Sequence, residues 1–284
     1  MAGGTTSKAK DKINEGFAWP GMGNIRLYVR HEWWPRRYDD KQRFKLSELY
    51  VSQLKKILGE ISARRAGLAV LREAVRSKKK IFIIPRLLGT TTSKFKSVKN
   101  VRNARARPHN WFDAELHGVG SHVTILFLPQ VFAFGSGPAS VSPDVVLLHE
   151  LVHALRITGG ALTPPDPVLD EVIDWRHVPG MGWKTREVSP EFKKQWGNIE
   201  EFSAVLAVNI YRSEKGQKLR ASYSAQRKNT PLTDAEQRTF ASKYAQIINV
   251  LIRDHRTFAR ELRDVRAPFN PVRDRLAARH GSPS

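Results

Sequence analysis

The chain has no cysteine among its 284 residues. It forms no disulfide and offers no thiolate to a metal, so any zinc site has to be built from His, Asp or Glu, a donor set that suits a catalytic centre better than a closed structural one. The lack of disulfides fits folding in, or delivery to, a reducing cytosol. Long apolar runs are missing as well. Residues 1–10 are polar and lack the apolar core of a signal peptide. The longest apolar stretch, residues 123–134, is interrupted by Thr124, Pro129 and Gln130 and is too short to cross a bilayer. The expectation is a soluble protein without a transmembrane segment, cytoplasmic in its producer, that would be secreted or injected without a cleaved signal. Acidic residues are scarce, with 27 Asp and Glu against 48 Lys and Arg, a formal charge of +21. Such an excess predicts affinity for polyanions, nucleic acid among them. The basic residues are scattered and no nucleic-acid module accompanies them, which favours general over specific recognition.

What the chain does have is the run His149-Glu150-Leu151-Val152-His153, set in the apolar residues 145–155. Two histidines four apart on a helix stand one above the other, close enough to grip one metal ion. The glutamate lies on nearly the same face. It cannot easily ligate from within that turn, but it can reach a water beside the metal and act as general base. The setting strengthens the signal, because a helix this apolar is buried over most of its surface. Two imidazoles and a carboxylate there cost on the order of several kcal/mol unless they find partners, and a metal is such a partner. The expectation is a zinc hydrolase in which His149 and His153 are ligands and Glu150 is catalytic.

A catalytic zinc takes three protein ligands and keeps one position open. The pattern HExxHxxGxxH would supply a third histidine, but Arg156 and Gly159 stand at its last two positions. The other route is a carboxylate on a later helix, and Asn198-Ile199-Glu200-Glu201-Phe202 offers two, behind an asparagine suited to cap it. Neighbours on a helix diverge by about 100°, so only one of the pair can point at the metal. Glu201 is the first choice and Glu200 the alternative. Asp170, Glu171, Asp174 and His177 are weaker candidates in a proline-rich loop, where one of them would orient a ligating imidazole through its second nitrogen. A developing oxyanion needs a donor besides the metal, and Tyr211, Tyr223 and His177 are the candidates.

Around these motifs the pattern predicts a flexible polar arm over residues 1–20, a short strand at 25–29 and an aromatic, basic patch at 31–38. Apolar residues at three-and-four spacing over 47–76 predict two amphipathic helices parted near residues 65–67. Ile81-Phe82-Ile83-Ile84-Pro85 reads as a buried strand, residues 86–111 as a long loop, and 118–129 as a second strand just before the metal helix, where zinc peptidases of this general type often place the edge that pairs with an extended substrate. Gly159-Gly160 stops the metal helix. Thr233 to Glu236 forms a capping box opening one helix to about Leu262, followed by a basic tail that frays at its end.

With these features the chain resembles the glutamate-zincins, and among them it looks most like the bacterial effector and toxin metallopeptidases, the NleD-like group. The likeness covers roughly residues 45–210: paired helices, the Ile81 strand, the strand ending Leu128-Pro129, the HExxH helix and a Glu-Glu helix about fifty residues on. It implies an α+β, zincin-like fold, a small, mostly antiparallel sheet packed on the active-site helix, with added C-terminal helices. The chain then divides into an N-terminal arm (1–40), a metallopeptidase domain (41–215) that carries the likeness, and a basic helical extension (216–284). Zinc held by His149, His153 and Glu201 or Glu200, base catalysis by Glu150, and cleavage of target-cell proteins follow from the same likeness, with an immunity protein or secretion machinery as partners. The charge, the arm and the C-terminal extension depart from the group. They keep a second reading open, a nucleic-acid-associated zinc hydrolase or DNA-bound protease.

Overall fold

The computed structural model describes residues 17–19, 22–27, 39–85, 104–129, 142–162, 189–223 and 230–280. The aromatic patch at 31–38 and the loop carrying Asp170, Glu171, Asp174 and His177 lie outside the described residues. The architecture is α+β. A five-stranded sheet is built from β1 (Phe17–Trp19), β2 (Met22–Leu27), β3 (Ile81–Ile84), β4 (Arg105–Pro108) and β5 (Val123–Leu126), in the order β1-β2-β3-β5-β4.

The sheet is mixed, which corrects the mostly antiparallel expectation. β2 runs parallel to β3 and β3 parallel to β5, while β1 and β4 flank them antiparallel. The connection from β2 to β3 passes through two helices, α1 (Asp40–Ser62) and α2 (Arg65–Arg76). A helical crossover of that length brings the chain back to the same end of the sheet, which makes the strands parallel. β1 lies inside the residues expected as a flexible arm. β4 lies inside those expected as a loop, and it, not β5, is the outer strand. Its sequence, Arg-Ala-Arg-Pro, has no apolar alternation because charge and proline are what an edge strand uses to blunt its free side.

α1 and α2 divide where the sequence indicates. α1 opens on an Asp39–Gln42 capping box, and the chain turns so tightly behind it that a Cβ on Gly67 would stand 2.2 Å from the Ile61 carbonyl oxygen. The next helices are α3 (Trp111–Glu115) and α4 (Pro143–Gly159). α4 is the centre of the molecule: the sheet, α1, α2, α3 and a later helix, α6 (Ile199–Glu214), all pack against it. Leu147, Leu148, Leu151, Val152 and Leu155 are buried on α4, facing Ile81, Ile83, Val123 and Ile125 of the sheet in one apolar core. α4 ends at Gly160, which is left-handed (φ 70°). Its Cβ position lies 1.9 Å from the Leu116 carbonyl oxygen, so only glycine fits.

α5 (Pro190–Trp196) precedes α6, and four more helices follow it: α7 (Asp234–Lys243), α8 (Ala245–Asp254), α9 (Arg256–Arg263) and α10 (Pro271–His280). The Thr233–Glu236 capping box is present, but the single helix expected behind it is three. Tyr244 leaves the helical region (φ −107°, ψ 21°) and packs its ring among Trp196, Phe202 and Phe240. His255 also leaves it (φ −132°, ψ 59°), and its Nδ1 lies 3.3 Å from Glu73 Oε1 on α2. Tertiary partners set both breaks. The basic tail is likewise ordered as α10, with Val272 wholly buried and Asn270 bonding the Leu262 and Val265 carbonyls. These helices bury Phe240, Phe258 and Leu262 in the same apolar cluster as α4. No described helix is long and apolar enough to cross a membrane.

Candidate metal centre

α4 and α6 lie against each other in opposite directions: Asp144 meets Tyr211 and Lys215, His149 and His153 meet Glu201, and Arg156 meets Glu200. The register of α6 is fixed at its start, where the Asn198 side chain accepts a hydrogen bond from the Glu201 N–H at 2.8 Å. Both glutamates thus enter the first turn, where their charge favours the helix N-terminus. The helical rotation between them then sends them to different partners.

Glu201 goes to the histidines. Its Oε2 lies 3.0 Å from His149 Nε2 and 3.5 Å from His153 Nε2, and the two imidazole nitrogens are 3.1 Å apart. Glu200 turns instead to Arg156, whose Nε is 2.9 and 2.8 Å from its two oxygens and whose Nη2 is 2.8 Å from Oε1. Glu200 also stands behind His153, its Oε2 3.9 Å from Nδ1. The structure therefore gathers His149, His153 and Glu201 into one group able to hold a metal ion and engages Glu200 elsewhere. Arg156 was noticed in the sequence only for breaking the three-histidine pattern. Its mid-helix place in an apolar run was the available sign that a carboxylate must meet it.

The charges around this group call for a cation. Burial works to lower the His153 pKa, but hydrogen bonds to Glu200 and Glu201, with the charges of Glu201 and Glu150, outweigh it and push it up to about 10. Burial likewise opposes ionisation of Glu201, yet the two imidazoles hold its carboxyl well below the usual range. Glu200 is held down to about 2 against its burial, by Arg156 and then His153. The geometry suits zinc. A tetrahedral ion about 2.0–2.1 Å from each ligand keeps its ligand atoms about 3.3 Å apart, against the observed 3.0, 3.1 and 3.5 Å. Two nitrogens and a carboxylate oxygen are also donors that zinc accepts.

Glu150 is buried between this group and the sheet. Its Oε2 accepts a hydrogen bond from the Ala106 N–H of edge strand β4 at 2.7 Å. Above the histidines, the Tyr223 ring stacks on His149 with centroids 5.7 Å apart and planes 5° from parallel. Burial, then the charges of Glu201 and Glu150, push the Tyr223 phenol well above its ordinary value, so it stays protonated. The guanidinium of Arg220 covers that ring at 5.7 Å, and burial lowers its pKa. Asn209 of α6 fixes this segment by exchanging two hydrogen bonds of 2.9 Å with the Arg220 backbone. Arg220 carried no sequence signal. Of the other candidate donors, Tyr211 is directed elsewhere: its hydroxyl donates to Asp144 Oδ2 at 2.7 Å, where Lys215 Nζ also bonds at 2.6 Å. His177 lies outside the described residues. Set against known proteins, the sequence matches no family model and no curated protein.

Proposed function

We propose that this chain is a zinc-dependent endopeptidase with a zincin-like arrangement. The observation that carries the reading is the convergence of His149 Nε2, His153 Nε2 and Glu201 Oε2 at spacings suited to a tetrahedral ion, with the Glu150 carboxylate buried beside them. Zinc bound there would supply Lewis acidity toward a water molecule and toward the carbonyl oxygen of a substrate. Glu150 is the general base. Its Oε2 is held by the Ala106 N–H, which leaves Oε1 to take the proton from water. Tyr223, kept protonated beside His149 and hydrogen-bonded to Glu201, would turn its hydroxyl to the developing oxyanion.

β4 gives a substrate a place to lie. Among the described residues no strand pairs beyond it; its outward Ala106 N–H is held by Glu150 and Pro108 has none, so an extended peptide would pair with the strand's free carbonyls beside Glu150. Arg105 and Arg107 of this strand are exposed, so a peptide paired with it meets guanidinium groups on one face, which favours acidic side chains at the facing positions. Use as an effector or toxin against target-cell proteins is the setting that the sequence resemblance supports.

The test is a comparison of new protein termini produced from a denatured protein mixture by the wild-type chain and by Glu150→Gln, each loaded with zinc. The variant is expected to bind one zinc per chain while turnover falls by about 10²–10⁴-fold. Undiminished cleavage by the variant would refute the role of Glu150, and zinc-loaded wild type that cleaves nothing would refute the peptidase reading.

A further inference from the structure

The C-terminal helices carry a second concave surface. α9 packs on α2 and α2 packs on α4, so this surface is separated from the metal centre by a layer of helix. A groove of about 590 Å³ runs along α8, α9 and α10 and is lined by Arg253, Arg256, Arg260 and Arg263, with Ala259 and Leu276 on its apolar part. The arginines recur at intervals of three, four and three residues. Arg256, Arg260 and Arg263 lie along one side of α9 at helical spacing, over about 10 Å at 1.5 Å per residue, and Arg253 joins them from α8 across the break at His255. All four are exposed. The nearby carboxylates are spoken for: Asp254 pairs with Arg253 and Asp264 with Arg263, each at 2.8 Å, and Glu261 turns to Arg76 on α2. Among the described residues, Arg256 and Arg260 at the middle of the row have no carboxylate partner.

We propose that this groove seats the sugar-phosphate backbone of a double-stranded nucleic acid, without regard to base sequence. Arg256 and Arg260, the two without a carboxylate partner, stand about 6 Å apart along α9, a separation that suits neighbouring phosphates of one strand. Guanidinium forks match phosphate oxygens in pairs. No aromatic side chain lines the groove, so it offers unpaired bases nothing to stack on, which favours a duplex over a single strand. The helices satisfy their own backbone groups, so an extended acidic peptide finds no strand edge to pair with. The net charge of +21 adds long-range attraction for the same ligand. This proposal is independent of the peptidase reading, since binding is measured without cleavage.

The experiment is fluorescence anisotropy of a labelled 20-base-pair DNA of random sequence titrated with the full chain over a series of salt concentrations. Wild type is compared with the double variant Arg256→Gln/Arg260→Gln and with Lys41→Gln/Lys45→Gln, which removes equal charge from the exposed face of α1. The logarithm of affinity should fall against the logarithm of salt with a slope of about −2 or steeper, about −0.9 for each phosphate engaged. The arginine variant should bind at least about tenfold more weakly, with the slope reduced by about two, and the lysine variant much less so. Equal losses in the two variants would reduce the effect to bulk charge and overturn the groove. So would an unchanged slope in the arginine variant, or tighter binding to polyglutamate or to vesicles of anionic lipid than to the duplex.

Discussion

The flanks of the α4–α6 seam and its middle are made from similar residues and behave differently. At one flank Asp144 is closed by Lys215 and the Tyr211 hydroxyl, and at the other Glu200 is closed by Arg156, a cation that does not give up its proton. Between them Glu201 faces two imidazoles, whose nitrogen atoms can exchange a proton for a metal. The flanks are self-contained ion pairs that fix how the helices sit. The middle is a group of side chains able to hold a metal ion, where a proton on His153 otherwise meets the Glu201 carboxylate. Adjacent residues Glu200 and Glu201 thus differ in partner: one closes on a guanidinium, the other joins a group able to hold a metal ion.

Exchanging these two side chains is the most direct way to break the comparison. Glu201→Gln should lower zinc affinity by at least about a hundredfold and remove turnover, because a neutral amide replaces the carboxylate ligand. Metal-free stability should fall as well, because Glu201 there pairs with the protonated His153. Glu200→Gln should act mainly on stability: Arg156 is left buried without its countercharge, a loss of about 3–5 kcal/mol, while zinc affinity falls only by about tenfold through the lost contact behind His153. Calorimetric zinc titration and urea unfolding of both variants check the pair. If Glu201→Gln bound zinc as wild type does while Glu200→Gln did not, the two roles would have to be exchanged.

The other flank sharpens the comparison through pH. Burial works to raise the Asp144 pKa, but Lys215, Ser142 and Tyr211 outweigh it and hold the carboxyl below its ordinary 3.8. A group with a depressed folded pKa contributes stability that is present above its unfolded value and is lost as pH falls through the folded one. Asp144 therefore stabilises the chain fully above about pH 4, and its contribution disappears at lower pH. Urea unfolding between pH 6 and pH 3 should show a larger loss for wild type than for Asp144→Asn, which has no such charge to lose. Parallel curves for the two would mean that Asp144 is not held in this way.

How much of this was legible in the sequence follows from how local each feature is. His149, Glu150 and His153 lie within one helical turn, so spacing alone brings them together. The second helix, its Asn198 cap and its two glutamates were legible too, but the choice between the glutamates depends on how α6 is rotated against α4. That rotation is set by partners far along the chain, Arg156 among them. β4 was hidden because an edge strand exposed on one side needs no apolar alternation. Arg220 was hidden because it reaches the centre only through Asn209 and the Tyr223 ring. The breaks at Tyr244 and His255 were hidden for the same reason, since ring packing and a contact to Glu73 override local helix preference.

The smallest expected effect tests whether the cap of α6 serves the centre as well as the helix. Asn198 accepts from the N–H of Glu201 itself, so one hydrogen bond both ends the helix and fixes the backbone of the proposed ligand. Asn198→Ala should cost about 1 kcal/mol of stability, the ordinary value of a helix cap. If the cap also sets the direction of Glu201, zinc affinity should fall by several-fold beyond what that loss explains, and Asn198→Asp, which keeps an accepting oxygen, should restore both. A variant that loses the stability but keeps full zinc affinity would show that the packing of α6 on α4 positions Glu201 without help from its cap.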